Sequence, residues 1–576
     1  MNTPVPFRGL LDKLLGLIET KRYSDRIVLR VLFFVMIFSG LASLIALNDK
    51  LSVPTPISGG VLREGLIGTP RFVNPTLAIT RVDQDVVALI YSGVMRIGQD
   101  GLLTPDLAES VTVSEDGLTY NIVIRKDVTF HDGLPLTARD VVFTYELIQN
   151  PDLKSPLKGN WADVTVEQVN EYEINIVLKE AYAPFNENFL VGILPAHIWS
   201  SVPLEQLPFS QLNTEPIGSG SFALKEAKRD ESGLITAYIL EANRKSRFAP
   251  HIDTMELLFF TEEDQLLTAL KNKLIDASAY VSNEHIEEVI GDGFYRVVSK
   301  PLPRVFGVFF NQNKSVALRD GAVREALFAA TDKTAIINKS LYGYGVPINS
   351  PISDLRSTLE SEEGSLVATT TKDAVTILDQ NGWAKNNLGL LEKQIDGSAE
   401  TLSFTLRTSN ATLLSEVSEQ LVEDWKKVGA DVAIEQFEQT DLLQSVIRPR
   451  DFEALLFGID MSRSLDLYPF WHSSQKDDPG LNIAQYTNLS VDAWLEEART
   501  EKDETERKRL LKEADTLIAE ERPALFLFRP KLNYVVKSDI VISELPAIAH
   551  SSDRFSTIDT WYTSSDTLWN VFKNKN

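Results

Sequence analysis

The side chains best suited to catalysis or metal binding do not form a recognisable set in this chain. There is no cysteine among the 576 residues, which excludes disulfides, thiol catalysis and thiolate metal sites. The six histidines contain no His-Glu-x-x-His pattern, and His131 lies in a His-Asp-Gly turn where a bond to the backbone is the simpler interpretation. We therefore expect no catalytic residue, no metal and no cofactor.

One glycine-rich segment could be mistaken for a nucleophile motif. Gly218-Ser219-Gly220-Ser221 lacks the Gly-x-Ser-x-Gly spacing, and no Walker lysine follows a glycine loop elsewhere. This chain is therefore not expected to bind ATP, and any use of ATP would have to be made by another subunit. An extracytoplasmic hydrolase stays open as a function of a different class, and a Ser, a His and a carboxylate that meet in a cleft would favour it.

The charge of the chain is unevenly distributed. The net charge is -24, with 7 Lys/Arg against 4 Asp/Glu in residues 1–50 and 50 against 77 in the remainder. An acidic body of this size is not expected to bind nucleic acid or an anionic membrane surface. The length of the chain predicts at least two packed lobes. The opposite net charges of residues 1–50 and of the remaining chain indicate that these two parts lie in different cellular compartments.

A hydrophobic segment near the N-terminus predicts a membrane anchor. Residues 27–47 are interrupted only by Arg30, which can snorkel, and they are long enough to span a bilayer. Basic residues precede this segment, so residues 1–26 are expected in the cytoplasm and everything after Leu47 outside. A cleaved signal peptide is the alternative, with Gly40–Ala42 as the best cleavage site. Residues 48–58 read as an extended linker.

The segment Thr104–Tyr145 carries the clearest local pattern of the body. Leu118–Ile124 alternates apolar and polar residues and predicts a strand between two glycine turns. Thr137 is a candidate N-cap for a helix over Ala138–Gln149. Further strand-like and helix-like runs alternate along the chain, with one long helical pattern over Val491–Glu521. This order predicts α/β lobes with largely open sheets.

This signature segment resembles that of the extracytoplasmic solute-binding proteins of the oligopeptide/dipeptide/nickel family, the ligand-capturing subunits of ABC importers. Weaker similarities follow in the family's order along nearly the whole body. They include Phe72–Leu77, Pro184-Phe185 with Ile193–Trp199, Pro216–Phe222, Phe310-Asn311, Val323–Leu327, Asp424–Gly429, Tyr468–Ser474 and Pro523–Phe528.

The resemblance implies a two-lobed, periplasmic-binding-protein-like α/β fold with a hinge and an interlobe cleft. The proline-containing segment Lys300–Arg304 and the break at Arg522-Pro523 are the candidate crossings between lobes. Lobe I would then comprise residues 59–304 and 524–570, and lobe II residues 305–523. The implied function is the capture of oligopeptides. The implied partners are the permease subunits of an ABC transporter and the membrane, and the binding protein itself is expected to be a monomer.

The resemblance also points to candidate ligand contacts. In the family a lobe II aspartate after a strand reads the peptide amino terminus, and Asp460 holds that place. Arg407 is the nearest match to an arginine that reads the carboxylate in dipeptide-binding members. Trp471 is a candidate cleft wall, and Arg71 and Phe72 are candidates for the cleft edge. A nickel chelate or an oligosaccharide is the alternative solute.

Overall fold

A computed structural model describes residues 22–352, 371–461 and 463–569. Most of the predicted cytoplasmic segment, residues 1–21, lies outside the described residues, as does residue 570 at the predicted end of lobe I. The described chain falls into two compact units, residues 59–563 and the flanking residues up to 58 and from 564.

Strands are numbered in chain order. They are β1 Ser52–Pro56, β2 Val61–Ile67, β3 Met95–Ile97, β4 Leu103–Pro105, β5 Ala108–Val113, β6 Thr119–Ile124, β7 Val164–Asn170, β8 Glu173–Leu178, β9 Phe222–Arg229, β10 Ile235–Ala242, β11 Thr254–Phe260, β12 Ala277–Ser278, β13 Tyr295–Pro301, β14 Arg304–Phe310, β15 Gly345–Pro347, β16 Ala384–Lys385, β17 Leu391–Ile395, β18 Ser398–Thr401, β19 Ser403–Ser409, β20 Asp431–Phe437, β21 Ala454–Asp460, β22 Ala524–Lys537 and β23 Ser565–Trp569.

Helices are numbered in the same way. They are α1 Tyr23–Leu51, α2 Arg81–Ile90, α3 Ala138–Gln149, α4 Ala196–Trp199, α5 Glu263–Lys271, α6 Asn283–Ile290, α7 Val316–Arg319, α8 Gly321–Ala330, α9 Lys333–Ser340, α10 Thr371–Gln380, α11 Thr412–Lys427, α12 Gln439–Asp441, α13 Tyr468–Trp471, α14 Leu489–Thr500 and α15 Glu504–Glu521. Short 3-10 helices lie at Lys158–Trp161, Ala183–Leu190, Leu204–Phe209, Gln211–Asn213, Ser473–Gln475 and Ser551–Thr560.

The smaller unit consists of α1 and a two-stranded ribbon. Residues Arg30–Asn48 of α1 have a mean hydropathy of 2.3, enough by length and composition to cross a membrane or to act as a signal sequence. Directly after α1, β1 pairs antiparallel with β23. The predicted extended linker is thus partly helix and partly strand. The sequence could not indicate this, because the partner of β1 comes from the other end of the chain.

The larger unit is organised by one long strand. Within a 12-stranded sheet, the first part of β22, through Pro530, pairs with β14 and β15, and its second part, from Lys531, pairs with β13. We call lobe II the part built on β14, β19–β21 and the first part of β22. Lobe I is built on β2, β9–β13 and the second part of β22, with the four-stranded sheet β5-β6-β8-β7 beside it.

The two chain crossings between the lobes lie side by side. The first crossing follows β13, and Leu302 N–H donates to the Pro530 carbonyl on β22 at 2.9 Å. The second crossing differs from the prediction. Ala524–Phe528 are buried in the cores of lobe II, so lobe II continues beyond Pro523. The break at Pro523 ends a helix, but the strand that starts there runs straight through both lobes.

Lobe II has a hydrophobic core on each face of its sheet. On β14, Val308 and Phe310 belong to one core, whereas Val305 and Phe309 belong to the other. On β22, Leu525 and Phe526 divide in the same way. This follows from the two-residue repeat of a strand, which sends neighbouring side chains to opposite faces.

Local predictions in the signature segment are confirmed, and one helix prediction is wrong. The strand is β6, the predicted helix is α3, and the backbone N–H of Thr137 donates to Asp140 Oδ2 at 2.9 Å as part of a capping box. The long helix over Val491–Glu521 is instead the pair α14 and α15. Asp503 begins the second helix because its carboxylate accepts the N–H of Glu506 at 2.9 Å.

A buried ion cluster lies in the core of lobe I. Arg554 Nη1 contacts Asp85 Oδ1 at 2.8 Å and Arg554 Nη2 contacts Glu64 Oε1 at 3.0 Å, with all three side chains 0% exposed. The Tyr534 hydroxyl donates to the other Glu64 oxygen at 2.7 Å. These contacts tie β2, α2, β22 and the 3-10 helix Ser551–Thr560 together.

Candidate ligand cleft between the lobes

Asp460 lies at the end of β21 and forms an ion pair across the sheet. Its register partner on β14 is Arg304, and Arg304 Nη2 donates to Asp460 Oδ2 at 2.6 Å. The side chains are 47% and 49% exposed, respectively. An ion pair this open to solvent contributes about 0–1 kcal/mol, so another charged group can replace either partner at little cost.

The chain after Asp460 reaches lobe I through an arginine. Arg463 Nη2 donates to Asp553 Oδ2 at 2.5 Å, and Arg463 also contacts the Ala547 carbonyl. Asp553 is held in place because the N–H groups of Ala549 and His550 donate to the same oxygen at 2.7 and 2.8 Å. Both charged side chains are nearly buried, so this contact joins the lobes firmly in the observed conformation.

Asp466 forms the centre of a second contact between the lobes. The Tyr182 hydroxyl, in lobe I, donates to Asp466 Oδ2 at 3.2 Å, and Arg499 of α14 lies 3.2 Å from the same oxygen. The Arg499 guanidinium lies 4.8 Å from the Tyr182 ring and 4.3 Å from the Tyr468 ring. Burial, together with the negative charge of Asp466, raises the pKa of Tyr182, so its hydroxyl stays a donor at neutral pH.

A third contact involves the signature segment. Lys502, between α14 and α15, donates from Nζ to the Ser114 carbonyl at 3.0 Å and to the Glu115 carbonyl. These carbonyls belong to the glycine turn between β5 and β6, where Gly117 has a φ of 75°. The three contacts together bring the lobes into direct contact.

The other predicted site residues have partners of their own. Arg407 on β19 contacts Glu435 Oε2 at 2.8 Å and Asp451 Oδ2 at 3.1 Å. It is in register with Leu455, five residues before Asp460 on β21, so the two predicted ligand contacts are separated by about 17 Å along the strand. The structure therefore does not bring Arg407 and Asp460 together.

Trp471 and the Arg71-Phe72 pair differ in exposure. Trp471 is 0% exposed and packs against Phe309 and Phe526 in the lobe II core, so its role as a cleft wall stays an untested prediction that the observed packing does not favour. Arg71 is exposed and Phe72 half-buried, and their N–H groups donate to Asp83 Oδ1 at 2.8 and 3.0 Å. The buried Asp83 carboxylate thus fixes this loop.

Sequence reasoning missed the charged residues that meet across the lobes. Arg463 and Asp466 follow Asp460 closely in sequence, whereas Arg304, which pairs with Asp460 within lobe II, precedes a predicted strand. A dense run of charged residues directly after a strand end was the available signal. The partners of these residues are distant in sequence and could not be inferred.

A Ser, a His and a carboxylate do come together, at His472. Its Nδ1 lies 2.8 Å from Ser474 Oγ, and its Nε2 lies 3.2 Å from Glu496 Oε1. The backbone N–H of Ser474 also donates to Nδ1 at 3.1 Å, which makes His472 the N-cap of a 3-10 turn. The lone pair that a general base would need is therefore already occupied in a capping contact.

The glycine-rich turn has a structural role. A Cβ at Gly218 would lie 2.0 Å from the Ile90 carbonyl oxygen, so only glycine permits this close approach. The His131 ring bonds to backbone, as predicted, because its Nδ1 accepts the Gly218 N–H at 3.3 Å and its Nε2 lies 3.2 Å from the Gly220 carbonyl oxygen. Burial lowers the pKa of His131. Within the described residues Ser219 Oγ is buried without a hydrogen-bond partner, so no base activates it.

No metal cluster among the described residues identifies the solute. Over the described part of the chain, no group of three or more His, Asp or Glu side chains is arranged to hold a metal ion. A groove of about 560 Å³, lined by residues including Arg324, Tyr486 and Glu521, lies on lobe II and does not include Asp460. The charged contacts between the lobes remain the best-defined candidate site.

Comparison with known proteins assigns this two-lobed binder to a family. The sequence profile of bacterial extracellular solute-binding proteins, family 5 (middle region), matches residues 103–480. The oligopeptide-binding protein AppA of Bacillus subtilis is 30% identical over 496 residues, which cover 84% of this chain and 88% of AppA. The chain belongs to family 5 of the bacterial extracellular solute-binding proteins, and residues 103–480 lie in an extracytoplasmic solute-binding domain.

Solved structures agree with this assignment. AppA of Bacillus subtilis in complex with a nonapeptide aligns with a TM-score of 0.63 at 27% identity, over 88% of this chain and 100% of AppA. NikZ from Campylobacter jejuni in complex with Ni(L-His) aligns with a TM-score of 0.63 at 25% identity, over 87% and 99%. The murein tripeptide-binding protein MppA in its unliganded open form shares the fold, with a TM-score of 0.74 at 17% identity over 89% and 98%. Relatives that bind solutes argue against an enzyme.

Proposed function

We propose that this protein is a membrane-anchored binding protein that captures oligopeptides outside the cytoplasm and delivers them to an ABC transporter by lobe closure. The main structural support for a peptide ligand is Asp460, a half-exposed carboxylate at a strand end beside the contacts between the lobes. The 30% identity to an oligopeptide-binding protein supports the same ligand class.

The Arg304–Asp460 pair suggests how a peptide amino terminus would be bound. A peptide ammonium group donates to Asp460 in place of Arg304, whose exposed guanidinium then returns to solvent. A hydrogen bond to a charged group contributes about 1.5–3 kcal/mol, more than the weak exposed pair that it replaces. Arg407, Trp471, Arg71 and Phe72 remain candidate contacts that the same binding measurements test.

Closure would form the contacts of Arg463, Asp466 and Lys502 between the lobes, and ligand binding would stabilise that closed form. The cysteine-free chain allows clean double labelling at the exposed positions Asp163 in lobe I and Asp373 in lobe II. We expect the distance between the two labels to shorten when ligand binds. An unchanged distance with a demonstrated tight ligand would contradict lobe closure.

Ligand identity is tested most directly by mass spectrometry of material carried through purification. Calorimetry should then compare one peptide with a free amino terminus, its N-acetylated form and nickel-histidine. Nickel-histidine is included because NikZ, a structural relative of this chain, was solved in complex with Ni(L-His). Binding of the free peptide with weak binding of the other two supports the proposal, whereas tight binding of nickel-histidine alone would replace it.

The membrane anchor and the transporter need separate tests. Residues 51–576 expressed alone should be soluble and monomeric, because α1 rather than the binding body would hold the chain at the membrane. A truncated protein that still partitions into membranes would contradict this. For delivery, cells that lack this protein should lose uptake of the bound peptide, and the full chain but not the soluble body should restore it fully.

A further inference from the structure

The ribbon β1–β23 begins directly after the hydrophobic helix. α1 ends at Leu51 and β1 starts at Ser52, with no residue between them. In the antiparallel pairing, Ser52 lies opposite Trp569 and Pro56 lies opposite Ser565. A strand from the far end of the chain is therefore held beside the end of α1.

The position of Trp569 can be placed relative to a bilayer. The apolar span ends at Asn48, four residues before Ser52, and a helix rises about 1.5 Å per residue, so Ser52 lies about 6 Å beyond the span. The headgroup layer adds roughly 5–8 Å on each side of the hydrocarbon core. Paired Cα atoms are about 4.5–5.5 Å apart, so Trp569 lies at nearly the same depth as Ser52.

The rest of the ribbon must run away from the membrane. A two-stranded ribbon has unpaired backbone groups on both edges, which hydrocarbon cannot satisfy. Ser565 is four residues from Trp569, so it lies about 13 Å farther along the strand, in water. The residue type at position 569 agrees with this depth, because tryptophan is enriched at membrane interfaces.

We propose that β23 places its backbone end, at position 569, in the phospholipid headgroup layer, so that the chain contacts the membrane at two points, α1 and the ribbon. This inference rests on the proposed membrane anchor. The ribbon would replace a single linker by a paired stalk, and the lipid contact would come from a segment more than 500 residues away in sequence.

The test uses the full chain in phosphatidylcholine–phosphatidylglycerol nanodiscs. Because the chain has no cysteine, nitroxide labels can be attached at Ile37→Cys, Leu568→Cys and Ser565→Cys one at a time. Ile37 reports the helix, Leu568 reports the depth of the ribbon with Trp569 intact, and Ser565 is the matched control on the same strand. Collision rates with oxygen and with a water-soluble nickel chelate measure depth. A Val53→Cys/Leu568→Cys disulfide, detected after digestion, tests the pairing.

We expect the label at position 37 to collide mainly with oxygen, as in lipid. The label at position 568 should collide little with either oxygen or the nickel chelate. The label at position 565 should collide freely with the nickel chelate, as in water. The ribbon contact would be overturned if the label at position 568 collided with the nickel chelate as often as the label at position 565 does. If the label at position 37 were still in lipid, the anchor would be unaffected by this result. A water-exposed label at 37 would overturn the anchor and this inference together. Failure of the 53–568 disulfide to form would also overturn the inference.

Discussion

Two arginine–carboxylate sites in this protein have the same chemistry and opposite surroundings. Arg554 with Asp85 and Glu64 is fully buried in lobe I, whereas Arg304 with Asp460 is about half exposed at the cleft. Buried partners cannot be exchanged, because a lone charge left inside the core is very costly. Exposed partners can be exchanged for a ligand at little cost. Burial, rather than residue type, decides whether an ion pair can exchange one of its partners.

The largest expected effect comes from breaking the buried site. Arg554→Met should lower the free energy of unfolding by about 3–5 kcal/mol, because Glu64 and Asp85 lose the cation that compensates their burial. Urea denaturation measures the change. The matched variant Arg304→Met should lose less than about 1 kcal/mol. Similar losses in the two variants would contradict the proposed difference between the sites.

The next effect concerns binding at the exposed site. Asp460→Ala should weaken the binding of peptides with free amino termini by roughly 10–150-fold, which corresponds to about 1.5–3 kcal/mol. N-acetylated peptides should bind the mutant and the parent alike, since acetylation removes the ammonium charge. Calorimetry on both peptides measures the difference, with the melting temperature as the control for folding. Equal losses for both peptides would mean that Asp460 does not read the amino terminus.

Lys333 sharpens the comparison, because it is a buried cation held by oxygens that carry no full charge. Its Nζ donates to the Ile348 carbonyl and to Asn349 Oδ1, each at 2.7 Å, and burial lowers its pKa to about 7. The unfolded chain binds this proton up to a pH near 10.5, so between these values the unfolded state holds more protons. Stability should therefore rise with pH across this window, by at most about 1.4 kcal/mol per pH unit.

Lys333→Met tests this expectation by removing the titrating group. The difference in unfolding free energy between parent and variant should change with pH from about 7.5 to 9.5, as the parent gains stability. Lys314→Met is a useful control, because Lys314 is about half exposed and pairs with Asp451 at 3.1 Å. A pH-independent difference for Lys333→Met would show that the amine stays charged in the folded protein.

The smallest effect is expected at Arg304 when no ligand is present. Arg304→Gln should change the melting temperature very little, because the exposed pair contributes about 0–1 kcal/mol. Binding of a free peptide should become modestly tighter, since Asp460 no longer has to release a competing cation. A large loss of peptide affinity would instead indicate that Arg304 itself contacts the ligand, and C-amidated peptides would identify the carboxylate as its partner.

Features fixed by near neighbours in the chain were predictable from sequence. The strand Thr119–Ile124, the N-cap at Thr137 and the glycine turn at Gly117 follow from periodicity and side-chain chemistry within a few residues. The family could be predicted as well, because many weak similarities occur in a fixed order along the chain. The two-lobed α/β fold followed from that family resemblance.

Features that depend on distant partners were decided by the tertiary structure. Asp460 meets Arg304 across 156 positions, and only the pairing of β14 with β21 brings them together. Sheet order likewise gives Arg407 its two carboxylates and buries Trp471 against β14 and β22. A sequence specifies which face of a strand is apolar, but the neighbour across that strand depends on how the whole sheet is assembled.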